Sequence, residues 1–431
     1  MNRARITQLF FTLILVGLAF LLGRFTQPKP QLSLSAHITG DMDVAWDNFL
    51  EMQEKTRQFI LSQPQFHDSP QSAAEGYRSL LYNMAGAIDL SLHDPDFPRF
   101  SRMPDLGSKS GMDNPDNDYK MALIDGEKDY IIRGQLNSGR QLYLQSVYGQ
   151  PGVGDAGPGS FAGSIAGSDI EFGPNRTFLI YVASKAPDGA ENWLRIDEGV
   201  EIILLRYTDS EWSNNVQSDW ITIEKVCPDC DLHPDNYSPE SAIKLLNNVS
   251  ASLHDRTVSW VSIANRIWTL LPTNKIGEPR PTPNGLTGQY SAFGKFDLED
   301  DEALILSVPV SDIAYQAIQL GNRWFHSLEY QHRQSSLTVT QSKPDETEII
   351  HYVISKKDPG VWNWLDTGGL RRGLIMIRWQ GSKTAPQNKM GSQLIDVSEI
   401  KSVLPEESFV SPDERKAQME RRADVISKRY Q

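Results

Sequence analysis

Two stretches of this chain, residues 95–235 and 288–400, break into short β-rich runs closed by clusters of Gly, Pro, Asn or Asp. That texture limits the fold more than any other feature. Parallel strands need long crossovers, whereas short strands with frequent turn signals pair antiparallel. In the first stretch the strand candidates are Tyr130–Arg133, Gln141–Tyr148, Thr177–Ala183 and Glu201–Tyr207. The second holds a β-turn-β unit over 351–380. Tyr352, Val353 and Ile354 enter an Asp358-Pro359-Gly360 turn, Trp362 and Trp364 follow, Gly368-Gly369 breaks the run, and Leu374 to Trp379 leaves as a strand. The fold class is mainly β, with two β-sandwich, jelly-roll-like units at 95–238 and 276–400. Residue identities show no internal repeat.

Helical spacing sets the other boundaries. Residues 31–94 form an N-terminal helical segment. Val44, Trp46, Phe49, Met52, Phe59 and Ile60 make a first apolar face. Ser69-Pro70 starts the next helix, with Tyr77, Leu80, Leu81, Met84, Ile88 and Leu92 as its expected core side. Ser238-Pro239 opens a bridging helix over 239–275, and Pro272 stops its pattern. Ser411 with Glu414 matches a capping box. It starts a charged C-terminal helix within 401–431, expected to face solvent.

The first 30 residues read as a signal anchor and linker. Arg3 and Arg5 precede an apolar run that reaches from Ile6 to Phe25, close to the ~20 residues of a bilayer helix. The Leu22-Gly23-Arg24-Phe25 region is a poor cleavage site. The main domain is therefore expected outside the cytoplasm, periplasmic in a bacterium. Cys227 and Cys230 are the two cysteines. Their surroundings have no βαβ pattern, so a short structural disulfide is the expected reading. The formal net charge is −13, and basic residues do not interleave with aromatics, which excludes an ordinary nucleic-acid surface.

Several motifs bear residues suited to chemistry. Asp358, Asp366 and Asp113 are the candidate catalytic carboxylates, because paired carboxylates in unlike environments perform acid–base work. Asn363, Trp364, Arg378, Trp324, Tyr330 and Asn114 are the candidate ligand-binding residues. The extended reading of 326–332 places His326 and His332 on one face, about 20 Å apart, too far to share an ion. No metal site or cofactor is expected. Gly152-x-Gly154-x-x-Gly157 is followed by too many glycines and a proline to open a helix, so it reads as a loop and a candidate lid rather than a dinucleotide site.

Asp358-Pro359-Gly360 with Asn363-Trp364-Leu365-Asp366-Thr367 and Gly369 resembles the signature of the domain of unknown function 1214 family. Gly321-Asn322-Arg323-Trp324 with Ser327-Leu328-Glu329-Tyr330, and Asp113-Asn114-Pro115-Asp116 with Tyr119 and Tyr130–Gly134, are also similar to it. The resemblance spans roughly residues 70–385 and implies a β-sandwich fold without an assigned activity. The expected function is binding of an apolar or glycan-like small ligand by a membrane-anchored protein. The alternatives are a carboxylate-based hydrolase or lyase on a glycan or lipid-like substrate, and a structural envelope protein. A ligand site is expected where Trp364, Asp358, Asn363 and Arg378 meet the 111–119 loop.

Overall fold

Serine caps and prolines set where the helices begin. The computed structural model describes residues 42–430, apart from 139, 155–158, 213–218, 228–232, 283, 284, 387 and 388. The helices α1 (Met42–Ser62) and α2 (Pro70–Ser91) are joined by a short turn, and Ser69 Oγ accepts the Ser72 N–H at 3.1 Å to cap α2. Ser238 caps α3 (Pro239–Leu270) in the same way. The capping box at Ser411 and Glu414 opens α4 (Pro412–Arg429).

The buried side of α2 is not the expected one. Tyr77, Leu81, Ile88 and Leu92 are exposed, while Gly76, Ser79, Asn83, Gly86 and Ala87 are buried with Leu80 and Leu90. Close approach explains this. A methyl at Gly76 would sit 2.7 Å from the Trp324 ring, and one at Gly86 would sit 3.2 Å from the Arg256 guanidinium. Val44 and Trp46 of α1 are exposed as well.

The first β-rich stretch supplies β1 (Asn117–Leu123), β2 (Tyr130–Gln135), β3 (Gln141–Tyr148) and β4 (Ser160–Ala166). It continues with β5 (Thr177–Ala183), β6 (Trp193–Arg195), β7 (Val200–Thr208) and β8 (Trp220–Lys225). After α3 come two short strands, β9 (Lys275–Ile276) and β10 (Arg280–Pro281). The second stretch then gives β11 (Tyr290–Asp297), β12 (Glu302–Pro309), β13 (Tyr315–Gly321) and β14 (Ser336–Thr338). It ends with β15 (Ile349–Ser355), β16 (Trp364–Asp366), β17 (Arg372–Gln380) and β18 (Gly391–Asp396).

The two halves repeat one topology. The first has sheets ordered β1-β7-β3-β4 and β6-β5-β2-β8; the second has β10-β11-β17-β13-β14, with β9 also on β11, and β16-β15-β12-β18. Apart from the added β9 and β10, adding ten to each label of the first half gives the second. Even the exception repeats: β5–β6 and β15–β16 are parallel pairs among antiparallel ones. In each half both sheets contribute to one apolar core, around Ile132, Leu144, Ile180 and Leu205 in the first and Ile318, Tyr352, Ile354 and Ile377 in the second.

A trace of the repeat survives in the residues. Pro187-Asp188-Gly189 precedes Asn192-Trp193-Leu194, as Asp358-Pro359-Gly360 precedes Asn363-Trp364-Leu365. Ile203-Leu204-Leu205-Arg206-Tyr207 corresponds to Ile375-Met376-Ile377-Arg378-Trp379. The absence of a repeat expected from residue identities is thus corrected.

Strand alternation decides which side chains leave the two cores. On β7, Ile203, Leu205 and Tyr207 point into the first core, so Leu204, Arg206 and Thr208 point out. On β17, Ile375, Ile377 and Trp379 point into the second core, so Met376, Arg378 and Gln380 point out. The outer faces of these two sheets are covered by α2, α3 and the loops between them, through Leu90 and Met103 on one sheet and Trp260 and Ala264 on the other.

The C-terminal helix is exposed as expected along its first half and outer side, but its last turns are not. Val425 and Ile426 pack with Trp212 and Tyr330, and Arg422 and Arg429 are buried. Residues Ile38–Gln431 pack as one compact unit. Among the described residues no helix is long and apolar enough to cross a membrane. The apolar run from Ile6 to Phe25 lies outside them, as does Cys230, and no described cysteine is free.

Candidate functional site: a cavity between the two halves

The outward faces of the β7 and β17 sheets enclose a cavity of about 760 Å³. Tyr119 and Met121 of β1, Gln145 and Val147 of β3, and Leu204 and Arg206 of β7 form one wall. Ser291 and Phe293 of β11, with Met376, Arg378 and Gln380 of β17, form the other. Helix α3 covers it with Arg256, Trp260, Ile263 and Ile267. The loop from Ser110 to Asn114 and the proline- and glycine-rich segment from Gly277 to Gln289 close the sides. That segment is part of the wall.

The arginines repeat with the fold. On β3, Gln145 pairs in register with Leu204, and Arg206 lies diagonally two residues on. On β13, Gln319 pairs with Met376, and Arg378 lies diagonally two residues on. In both halves the arginine Nη1 donates to the glutamine Oε1, Arg206 to Gln145 and Arg378 to Gln319. Strands β7 and β17 touch where Thr208 Oγ1 donates to Gln380 Oε1 at 3.4 Å. Arg206 and Arg378 thus line one cavity from its two walls. Burial, reinforced by the Arg378 charge, holds Arg206 below the usual guanidinium range.

Arg256 is the least satisfied cation in the wall. It is 2% exposed, its Nε and Nη1 have no partner, and its Nη2 reaches only Ser110 Oγ at 3.3 Å. Burial pushes its pKa down to about 10. The Trp260 Nε1 is also without a partner. The loop that was read as a candidate lid packs here: a methyl at Gly152 would sit 2.9 Å from that Trp260 nitrogen, and Gly154 donates to Asp255. Gly157 lies outside the described residues.

Of the candidates named from sequence, Asp113, Asn114 and Arg378 line the cavity. Asp113 is already engaged, accepting Ser327 N–H at 3.2 Å and Ser327 Oγ at 2.7 Å. Asn114 donates to the Tyr315 hydroxyl at 2.8 Å. The other candidates lie elsewhere and have structural partners. Asp358 accepts the Gly360 N–H within its own turn and an ion pair from Arg415 at 2.8 Å, tying down the start of α4. Asp366 accepts Gly368 N–H and Arg333, both near 2.8 Å. Trp364 packs in the wall of the second half with its Nε1 on Ser355, and Trp324 is fully buried with its Nε1 on the Ser72 carbonyl. Tyr330 hydrogen-bonds Tyr430 at 2.9 Å.

Asn363 has a backbone role, and the repeat makes it plain. Its Nδ2 donates to the Lys343 carbonyl and its Oδ1 accepts the Lys343 N–H. Asn192 does the same to the carbonyl and N–H of Glu171. Each asparagine replaces a missing strand neighbour. Asn363→Ala and Asn192→Ala are each expected to cost about 1–3 kcal/mol, since each strands buried backbone groups. Urea melts would show this. A near-neutral melt with altered ligand affinity for Asn363→Ala would assign it to binding instead.

The extended reading of 326–332 is corrected too. Residues 322–335 turn back on themselves, and Glu329 caps its own loop by accepting the Gln331 and His332 N–H groups. His326 is buried beside Tyr82 at the edge of a second, more polar depression of about 430 Å³. Trp362 and Trp364 also do not share a strand face, because strand pairing starts at Trp364. Sequence reading missed Arg206, Arg256, Gln145 and Trp260. The Ile-x-x-Arg-aromatic repeat would have located Arg206 from Arg378; no local signal marks Arg256.

No family model matches the chain, and no curated protein does. Among solved structures, an uncharacterised protein from Burkholderia cenocepacia is similar at a TM-score of 0.75 and 24% identity, covering 82% of this chain and 97% of that one. The likeness shows the fold alone. A protein from Vibrio parahaemolyticus matches 74% of this chain and 97% of its own length at 11% identity and a TM-score of 0.42.

Proposed function

We propose that this chain binds an apolar small ligand in the cavity between its two β-sandwich halves. The observation that carries the reading is the cavity itself. Its 760 Å³ lies within the roughly 300–1,000 Å³ of small-molecule sites, and its lining is mostly apolar with a few convergent polar groups. Packed interiors leave few voids larger than a water molecule. An apolar chamber of this size, walled by equivalent strands of two repeated halves, is therefore a feature that a purely structural protein does not need. The apolar lining favours the apolar over the glycan-like ligand. The hydrolase alternative loses its carboxylate pair, since Asp358 and Asp366 do not line the cavity and Asp113 is held by Ser327.

Two further parts of the proposal concern context. The chain is held to a membrane by residues 6–25 with its β-rich part outside the cytoplasm, and Cys227 is bridged to Cys230. The absence of a free cysteine among the described residues supports the second part. Membership of the domain of unknown function 1214 family, with jelly-roll-like halves, is proposed on the motif residues and the two-sheet halves.

Native mass spectrometry of the purified full chain tests the binding reading. A discrete adduct is expected, and it is expected to disappear in Ile263→Trp. That substitution fills the chamber from a half-buried position on α3. No adduct, together with no saturable binding of any alkyl or aromatic probe, would reject the proposal.

A further inference from the structure

The cavity carries an excess of positive charge. Among the described residues, Arg206, Arg256, Arg266, Arg280 and Arg378 line it, against the carboxylates of Asp113 and Glu278. This excess sits inside a chain with a formal net charge of −13. A random sampling of such a chain would line a cavity with acid.

The partners that hold the three innermost arginines are neutral. Arg206 has Gln145, Arg378 has Gln319 and the Met112 carbonyl, and Arg256 has Ser110. Amide, carbonyl and hydroxyl oxygens orient a guanidinium without cancelling its charge. A buried cation left without a counter-charge is costly, and folds retain one where something supplies the missing anion. Arg206 and Arg378 stand at equivalent positions of the repeat and line the same cavity, Arg378 buried and Arg206 partly exposed, and the charge of Arg378 acts on Arg206. Their planar forks suit the two or three oxygens of a carboxylate or phosphate. Trp260 Nε1 and two N–H-bearing nitrogens of Arg256 remain as further donors.

We infer that the ligand is an amphipathic anion: an alkyl or aromatic body in the apolar chamber and a carboxylate or phosphate head held by Arg206 and Arg378, with Arg256 adding a third positive charge to the wall. The apolar side chains that receive the body are Met121, Leu204, Ile263, Ile267, Phe293 and Met376. This inference rests on the apolar-ligand reading and specifies it. The glutamines Gln145 and Gln319 are positioning residues that keep each fork facing the chamber.

The experiment compares three ten-carbon probes that share a tail: decanol, decanoate and decyl phosphate. Each is titrated calorimetrically into the full chain in nanodiscs of neutral lipid, with empty nanodiscs subtracted. Wild type is expected to bind decanoate or decyl phosphate roughly tenfold or more tightly than decanol, since hydrogen bonds to charged groups are the strong ones. The better of the two anions names the head group. Arg206→Met and Arg378→Met are each expected to bring that ratio close to one while decanol binding persists. Equal wild-type affinities for decanol and the anions would overturn this inference and leave the apolar-ligand reading standing. Failure of all three probes to bind would overturn both.

A second measurement does not depend on those variants folding. Arg256→Met is expected to raise the melting temperature of the ligand-free protein, because it removes an uncompensated buried charge, and to weaken anion binding severalfold. A lower melting temperature with unchanged anion affinity would make Arg256 a structural residue and remove it from the site.

Discussion

Asp116→Ala is expected to destabilise the fold by about 3–5 kcal/mol, the loss typical of breaking a buried charge cluster from one side. Asp116 is 1% exposed. Its Oδ1 accepts Trp212 Nε1 at 2.7 Å and its Oδ2 accepts the Tyr315 hydroxyl at 2.5 Å. Tyr315 belongs to β13, so this carboxylate ties the loop before β1 to the second half. The C-terminal helix closes over the same point. Arg422 and Arg429 stand over the Trp212 ring at 4.4 and 5.1 Å, Arg429 donates to the Pro115 carbonyl, and Arg422 holds the Tyr330 carbonyl and Ser336. Removing the carboxylate leaves an indole N–H and a phenol O–H without an acceptor, and removes negative charge near two buried guanidiniums, of which Arg429 keeps Asp209 at 3.9 Å. Single domains are stable by only ~5–15 kcal/mol, so a large share of the total is at stake. Asp116→Asn keeps an acceptor and should lose less. A urea-melt loss below about 1 kcal/mol for the alanine variant would show that the cluster does not hold the halves together.

The parts of this fold that were legible in sequence are those fixed by local chemistry. Ser69, Ser238 and Ser411 marked three helix starts because a hydroxyl beside Pro satisfies the first free N–H groups wherever the helix later packs. The strands Gln141–Tyr148 and Thr177–Ala183 were legible because their turns and β-branched content are local as well. What failed was decided by distant neighbours. The apolar stripe of α2 pointed to the wrong face, because the contact with Trp324 admits only a glycine at position 76. The charge of α4 suggested solvent, but Arg422 and Arg429 are buried against carbonyls and the Trp212 ring. Asp358, Asp366 and Asn363 attracted attention as a motif, and the motif is a folding unit: a turn, an arginine tether and a backbone clamp.

The site itself was half legible. Arg378 was named, and the 111–119 loop was placed beside it, which is where the cavity lies. Its counterpart Arg206 was hidden because it only follows the short apolar run Ile202–Leu205 and belongs to no motif of its own, and the repeat that matches it to Arg378 is faint. The fold repeats one eight-stranded design and joins the copies through the sheets that carry those arginines. The two cations line one cavity because equivalent strands of the two copies face each other. A single copy would present one guanidinium on an open sheet face; the pair creates a partly open chamber with both guanidiniums in its lining.

Stability is expected to fall between pH 6.5 and 4.5, before most carboxylates titrate, and His326 is the main cause. Burial, with smaller contributions from the Lys109 and Arg78 charges, pushes its pKa down to about 3 from 6.5. Neither ring nitrogen has a partner, and the Tyr82 ring stands edge-on at 5.3 Å. His93 and His254 are also lowered, chiefly by burial. The sign follows from proton counting. Below pH 6.5 the unfolded chain gains protons on these imidazoles while the folded chain does not, so their contribution is complete above that pH and is lost as pH falls toward the folded values. His326 removes roughly 1.4 kcal/mol per pH unit once the unfolded form is fully protonated, and His93 and His254 act in the same direction. Asp96, Asp125 and Asp297, which ion pairs and hydrogen bonds hold low, act with the same sign but only below about pH 4. Glu201, raised by burial, acts against the trend. Comparing His326→Phe with wild type cancels all of these. The phenyl ring keeps the shape and the contact with Tyr82 but cannot take a proton. Its plot of unfolding free energy against pH should therefore be shallower than the wild-type plot by about one proton between pH 6 and 4.5, so that its advantage grows on acidification. Urea melts at four or five pH values give both slopes. Parallel curves would mean that the site admits a proton and its counter-charge at no cost, and that His326 is open to solvent through the depression beside α2.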